Sequence, residues 1–155
     1  MGLKEKITAL VAGLFLEKPA QNKSYAELTQ RLEEAEQSIE ARLSGKNYTE
    51  FNHRVLSHII GIERWGQSRL RVFLGDPFIQ DEYNGYRPAR DMPWDELVGQ
   101  FSATRSETIS IGRGLADASV APDKTVLHNQ LGPLSARAWL RYLQTHASRE
   151  IMQVR

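Results

Sequence analysis

The stretch SYAELTQRLEEAEQSIEARLSG, residues 24–45, predicts an amphipathic helix whose two ends are both marked in the sequence. Ser24 and Glu27 form a capping box, in which each side chain hydrogen-bonds to the other residue's backbone N–H. Gly45 is the residue type that most often follows the last helical turn. Apolar residues recur between these ends at spacings of three and four, so they share a face that has to be buried. These residues are Leu28, Leu32, Ala35, Ile39 and Leu43.

Three later segments carry the same helical periodicity. Thr49 is a suitable N-cap for a second helix, which should end near Gly75. Pro93 suits the start of a third helix, and Ser135 suits the cap of a fourth. The stripes are Phe51, Val55, His58, Ile59, Ile62, Trp65 and Phe73; Leu97, Phe101, Ile111 and Leu115; and Trp139, Leu143, His146, Glu150 and Gln153. No strand pattern competes with them, so the sequence predicts an all-α fold, a four-helix bundle.

The 155 residues suit one domain with one core, residues 1–155. Residues 24–155 form the predicted bundle, and residues 1–20 form an accessory N-terminal helix. Helical spacing in that segment is shown by Leu3, Ile7, Leu10 and Leu14. The apolar run is too short to span a bilayer, and it is followed by Glu17-Lys18-Pro19 rather than a small-residue cleavage site. We therefore expect an amphipathic helix that packs on the bundle, preceding a polar break over residues 19–23.

Composition excludes several classes of function. Twenty basic and nineteen acidic residues give a net charge of +1, which provides no electrostatic basis for a nucleic-acid or membrane partner. The chain has no cysteine, so disulfides, cysteine zinc sites and thiol nucleophiles are excluded, and a cytoplasmic location is expected. Gly112-Arg113-Gly114 does not follow a strand, so it is not a phosphate loop. Neither a nucleotide nor an organic cofactor is expected.

A long segment without a helical stripe, residues 76–92, separates the second helix from the third. Asn84-Gly85 marks a turn within it, and Tyr83 and Tyr86 flank that turn. Long loops with aromatic residues in small domains are often functional. A lid over a site and a strap across the core are both compatible with this pattern.

The last helix places His146 and Glu150 four residues apart. Side chains at this spacing lie one above the other, so both can reach one ion. Imidazole nitrogen and carboxylate oxygen suit zinc, nickel, iron or manganese. A third ligand must come from another helix, and His58 on the inward stripe of the second helix is the best candidate. Three protein ligands leave positions for water or substrate, as catalytic metal sites require.

These histidines also have structural interpretations. A His and a Glu four apart occur often by chance on helices, and His58 can be a core histidine with satisfied hydrogen bonds. His128 precedes the Gly132 turn and can orient the last helix by hydrogen bonding, act as a metal ligand, or contact substrate. His53 is expected near the start of its helix, facing solvent.

Arg105 interrupts the apolar stripe of the third helix, so it needs a partner if it is buried. Glu63 is one possible partner, and an anionic substrate is the other. Trp65 and Trp139 are expected in the core, because no basic groove accompanies them.

Three short motifs, taken in their order and spacing, resemble the DinB-like four-helix-bundle family. They are HIIGIERW at residues 58–65, HNQLGPLSARAWLRYL at residues 128–143, and HASREIMQ at residues 146–153. The family includes bacillithiol transferases and related metal-dependent hydrolases. The resemblance spans roughly residues 24–153, and it implies a homodimeric protein that acts on a small molecule.

The resemblance also implies three histidines around a divalent metal, one on the second helix and two spaced four apart on the last. His58 and His146 match two of these positions, and Glu150 stands where the third histidine is expected. Carboxylate can replace imidazole, giving a two-histidine, one-carboxylate site. The implied function is a metal-dependent thiol S-transferase or hydrolase. The alternative is a non-catalytic bundle that has lost its metal and binds a small molecule or acts in a stress response.

Overall fold

The computed structural model describes residues 2–155 and is mostly helical. Its α-helices are α1 (Leu3–Ala12), α2 (Lys18–Gln21), α3 (Tyr25–Leu43), α4 (Glu50–Val72), α5 (Trp94–Asp117) and α6 (Ala136–Glu150). Three short helical turns lie between or after them, at Gly13–Glu17, Tyr83–Tyr86 and Ile151–Gln153. The four long helices α3, α4, α5 and α6 pack around a shared core, so the predicted set of principal helices is confirmed.

The predicted helix starts are confirmed by their capping hydrogen bonds. Ser24 accepts from the backbone N–H of Glu27, whose carboxylate accepts from the backbone N–H of Ser24. Thr49 caps α4, and Ser135 caps α6. Local side-chain chemistry therefore determines where three of the four bundle helices begin.

A small antiparallel hairpin was not predicted. Strand β1 (Thr125–His128) pairs with β2 (Gly132–Ser135), with Thr125 opposite Ser135 and His128 opposite Gly132. Gly132 has a φ of +81°, a conformation that glycine adopts without strain. The expectation of a purely α-helical chain was wrong here, because four-residue strands are too short to show an alternating pattern.

The N-terminal segment differs from its prediction in two ways. Helical structure continues through a π-helical turn and Pro19 to Gln21, so residues 19–23 do not begin with a break. The apolar stripe that was expected to pack on the bundle is exposed to solvent; it consists of Leu3, Ile7, Leu10 and Leu14. Small and apolar residues on the other face, Ala12, Leu16 and Ala20, are buried instead. Met1 lies outside the described residues.

Two hydrogen-bonded contacts attach this segment to α6. The carboxylate of Glu17 accepts from the backbone N–H and the hydroxyl of Ser135, both at 2.8 Å. The Nε of Arg141 donates to the carbonyl of Phe15 at 2.7 Å. The π-helical turn is therefore held against the start of α6.

The segment of residues 76–92 is fastened to α4. Buried Arg69 forms an ion pair with Asp81 at 2.9 Å, and the Tyr86 hydroxyl donates to the same carboxylate. His53 was expected to face solvent, but it is buried and its Nε2 lies 2.9 Å from the carbonyl of Met92. His53 is buried because the loop returns across the start of α4 and supplies a polar partner.

Arg105 is fully buried, and its partner is Glu63. Its Nε and Nη2 donate to the two carboxylate oxygens at 2.6 and 3.1 Å, and its Nη1 donates to the carbonyl of Leu32 at 3.1 Å. Thr108 donates to the same carboxylate. This paired charge connects α3, α4 and α5 inside the core.

Trp65 and Trp139 lie in the core, as predicted, with ring centroids 5.4 Å apart. Across residues 2–155, no helix is long and apolar enough to cross a bilayer.

Candidate functional site

A cavity of about 790 Å³ opens between α4, α6, the β-hairpin turn and the N-terminal segment. The N-terminal segment contributes Val11 and Phe15 to its wall, and the loop after α4 contributes Tyr83. This volume and its mixed apolar and polar wall are typical of sites for small organic molecules.

Helix α6 presents three ionisable side chains to this cavity, at successive turns of one face. They are Tyr142, His146 and Glu150, which are spaced four residues apart. Burial raises the pKa of Tyr142 to about 12, so its hydroxyl stays protonated at neutral pH. The face therefore carries a phenol, an imidazole and a carboxylate in sequence.

The structure brings His58 and His146 together. Their Nε2 atoms lie 3.2 Å apart, although the residues belong to different helices. Burial, reinforced by neighbouring charges, lowers the pKa of His146 to about 3; burial and then the charge of Arg87 lower that of His58, while Glu150 acts in the opposite direction. Both rings are therefore neutral at pH 7, and one Nε2–H donates to the lone pair of the other.

Arg87 approaches the other side of His58. Its Nη2 lies 3.5 Å from Nδ1 of His58, and its Nε donates to Oδ1 of Asn84 at 3.1 Å. Tyr83 lies edge-on to His58 at 5.2 Å between ring centroids, and the Arg87 guanidinium lies over Tyr83 at 5.6 Å. A Cβ at Gly61 would lie 2.9 Å from Cγ of Arg87, so glycine at this position permits the close approach.

Glu150 lies on the wall of the same cavity, with its side chain one-fifth exposed. One carboxylate oxygen lies 3.4 Å from Nε of Arg149, and the other accepts from the amide of Gln153. In the part of the chain that the structure describes, no three His, Asp or Glu side chains are grouped so as to hold a metal ion. Of the three predicted ligands, His58 and His146 are therefore in contact, whereas the carboxylate of Glu150 contacts Arg149 and Gln153.

His128 lies in the cavity wall and also organises the hairpin turn. Its Nδ1 accepts from the backbone N–H groups of Gln130 and Leu131, so the proton of the neutral ring is on Nε2. Burial and then the charge of Arg69 lower its pKa to about 4. Its Nε2 is buried and has no hydrogen-bond acceptor among residues 2–155. His128 therefore shapes the turn before α6, which is the hydrogen-bonding role predicted for it.

Arg105, for which an anionic substrate was the other possible partner, does not line this cavity, and neither does Glu63. They pair with each other in the core. Sequence reasoning missed Arg87 and Tyr142 as members of the site. Tyr142 precedes His146 by four residues, so helical spacing was a usable signal, whereas Arg87 lies in a loop with no periodicity.

Comparisons of the chain with protein-family models, with curated proteins and with solved structures found no match. The resemblance to the DinB-like family is thus carried by the three motifs alone.

Proposed function

We propose that the chain is a divalent-metal-dependent enzyme of the DinB-like type, a thiol S-transferase or hydrolase that acts on a small molecule. His58, His146 and Glu150 would hold the ion. The observation that carries the proposal is the 3.2 Å approach of two histidine Nε2 atoms from different helices at the wall of a large cavity.

The donor chemistry fits a metal ion. Two nitrogens at about 2.0–2.1 Å from a tetrahedral zinc ion lie about 3.3 Å from each other, close to the spacing of this pair. Metal binding needs neutral imidazoles, and both rings are neutral at pH 7 because their pKa values are lowered. Glu150 follows His146 by one helical turn and supplies a carboxylate from the same wall.

A bound ion would lower the pKa of a coordinated thiol or water, which supplies a nucleophile at neutral pH. The chain's own residues would bind and orient the substrate. Apolar parts would pack against Phe15 and Tyr83, and the protonated Tyr142 hydroxyl would donate to a polar atom. We therefore expect a substrate that carries both apolar and polar groups.

Metal content tests this proposal. Protein stripped with a chelator and titrated with Co²⁺ should bind one ion per chain, seen as a visible absorption band. His58→Ala should abolish the band, and Glu150→His should retain or tighten binding. His53→Gln is the matched control, because His53 lies outside the cavity and should leave the titration unchanged. Full Co²⁺ binding by His58→Ala would contradict the proposal.

A second function, a bundle that binds a small molecule without metal, is favoured by one observation. The Glu150 carboxylate already has partners in Arg149 and Gln153. In this case ligands from a compound library should raise the melting temperature equally with and without a chelator. A chelator-dependent shift would favour the metal enzyme.

We also propose that the chain forms a homodimer. The family resemblance implies it, and the exposed apolar stripe of the N-terminal segment provides a surface for it. The stripe is spaced at four, three and four residues, the spacing by which two helices pack along a seam.

A further inference from the structure

We infer that Arg87 is a positioning residue that fixes the tautomer of His58 and opposes cation binding at the histidine pair. This inference rests on the proposed function, in which His58 is a metal ligand. The contacts that carry it involve Arg87, a residue of the loop after α4 that was not predicted to be in the site.

The contact with Arg87 determines which nitrogen of His58 carries the proton. Arginine has only donors, so the Nη2 that lies 3.5 Å from Nδ1 favours a lone pair on that nitrogen. A neutral ring with a lone pair on Nδ1 carries its proton on Nε2. That Nε2–H then donates to Nε2 of His146 at 3.2 Å. The metal-free pair is therefore a directed hydrogen bond from His58 to His146.

Arg87 also affects metal binding by His58. A histidine that binds metal through Nε2 normally donates its Nδ1–H to a carboxylate or a carbonyl. His58 instead faces a guanidinium, which offers a donor and a positive charge. Ligation by His58 thus requires the opposite tautomer, and it places a divalent cation near a fixed cation.

Arg87 is held beside His58 by contacts with its own loop and with α4. Its Nε donates to Asn84, its guanidinium lies over Tyr83, and its Cγ lies against Gly61. The loop that carries it is fastened by the Arg69–Asp81 ion pair. Moving Arg87 away from His58 therefore breaks these contacts. If metal binding requires that movement, the free energy it costs lowers the affinity for the metal.

The first test needs no metal. Long-range ¹H–¹⁵N NMR of the metal-free protein at pH 7.5 should show His58 protonated on Nε2. Arg87→Met keeps the methylene packing against Gly61 but has no donor, so it should shift His58 toward the Nδ1–H tautomer. Arg90→Met, at an exposed arginine of the same loop, should leave the tautomer unchanged. The inference would be overturned if His58 were protonated on Nδ1 in the wild type, or if its tautomer were the same in all three proteins.

The second test is the Co²⁺ titration of the same three proteins. Removal of the charge and donor should tighten binding by about tenfold in Arg87→Met and leave Arg90→Met at the wild-type Kd. Equal Kd values in all three proteins would overturn the inference and leave the proposed function standing. If none of the proteins binds Co²⁺, the proposed metal function falls, and the tautomer measured by NMR still decides the role of Arg87.

Discussion

At the scale of single residues, buried neutral histidines make the stability of the folded chain depend on pH. His128 is held unprotonated by two backbone N–H groups and by burial among aromatic rings. Its pKa is about 4 in the folded chain, against an ordinary value of 6.5 in the unfolded chain. The unfolded chain therefore binds more protons between these values, so stability is full above pH 6.5 and falls as pH drops toward 4.

We predict that His128→Asn weakens this pH dependence. Asn Oδ1 can replace Nδ1 as the acceptor in the turn but does not titrate. The wild type should lose up to about 3 kcal/mol of unfolding free energy through this group between pH 6.5 and 4, and the variant should lose less. Urea denaturation at both pH values measures the difference. Parallel losses in the two proteins would count against the assigned role.

The sequence predicted part of the site at this scale. Helical spacing is enough to place His58 and His146 on inward faces, and the structure brings them into contact. Spacing does not fix side-chain rotamers, so it did not show that Glu150 would contact Arg149 and Gln153. Arg87 reaches His58 only through the path of its loop, which no local pattern specifies.

At the scale of elements, close helix packing depends on small residues. Gly66 of α4 faces Leu143 of α6, and a Cβ at position 66 would lie 2.4 Å from Cδ2 and 3.0 Å from Cγ of that leucine. Leu143 is buried, so it has little room to move. This contact sets how closely α4 and α6 approach, and thus the spacing of the helices that carry the two histidines.

We predict that Gly66→Ala lowers the free energy of unfolding by about 1–3 kcal/mol through overpacking. Gly99→Ala is the control, because it lies on the exposed side of α5 with no heavy atom within 4 Å of the added Cβ. That variant should gain up to about 1 kcal/mol from helix propensity. Chemical denaturation measures both, and a stabilised Gly66→Ala would refute the packing argument.

Helix starts were predictable because caps are local. The hairpin was not predictable, since its four-residue strands are too short to show an alternating pattern. The side on which α1 packs was also not predictable. The large apolar stripe of the N-terminal segment is a stronger signal than its small residues Ala12 and Ala20, which are buried because they allow close approach to the bundle.

At the scale of the whole molecule, the exposed stripe of the N-terminal segment bears on assembly. We predict a particle of twice the mass of one chain by light scattering at roughly 50 µM, where an interface with micromolar Kd is mostly formed. Leu10→Glu places a charge in the stripe and should give a monomer with an unchanged circular dichroism spectrum. Ile79→Glu, at an exposed residue of the loop after α4, should remain dimeric. A monomeric wild type would exclude this assembly.

The attachment of the N-terminal segment to α6 has a consequence for synthesis on the ribosome. Val11 and Phe15 leave the ribosome more than a hundred residues before α6, which forms the opposite wall of the cavity. The Glu17–Ser135 contact that holds the segment in place cannot form before then. A nascent chain therefore carries this apolar segment without its docking site. The cavity comes into existence only when α6 has left the exit tunnel, so ligand binding is confined to chains whose bundle is finished.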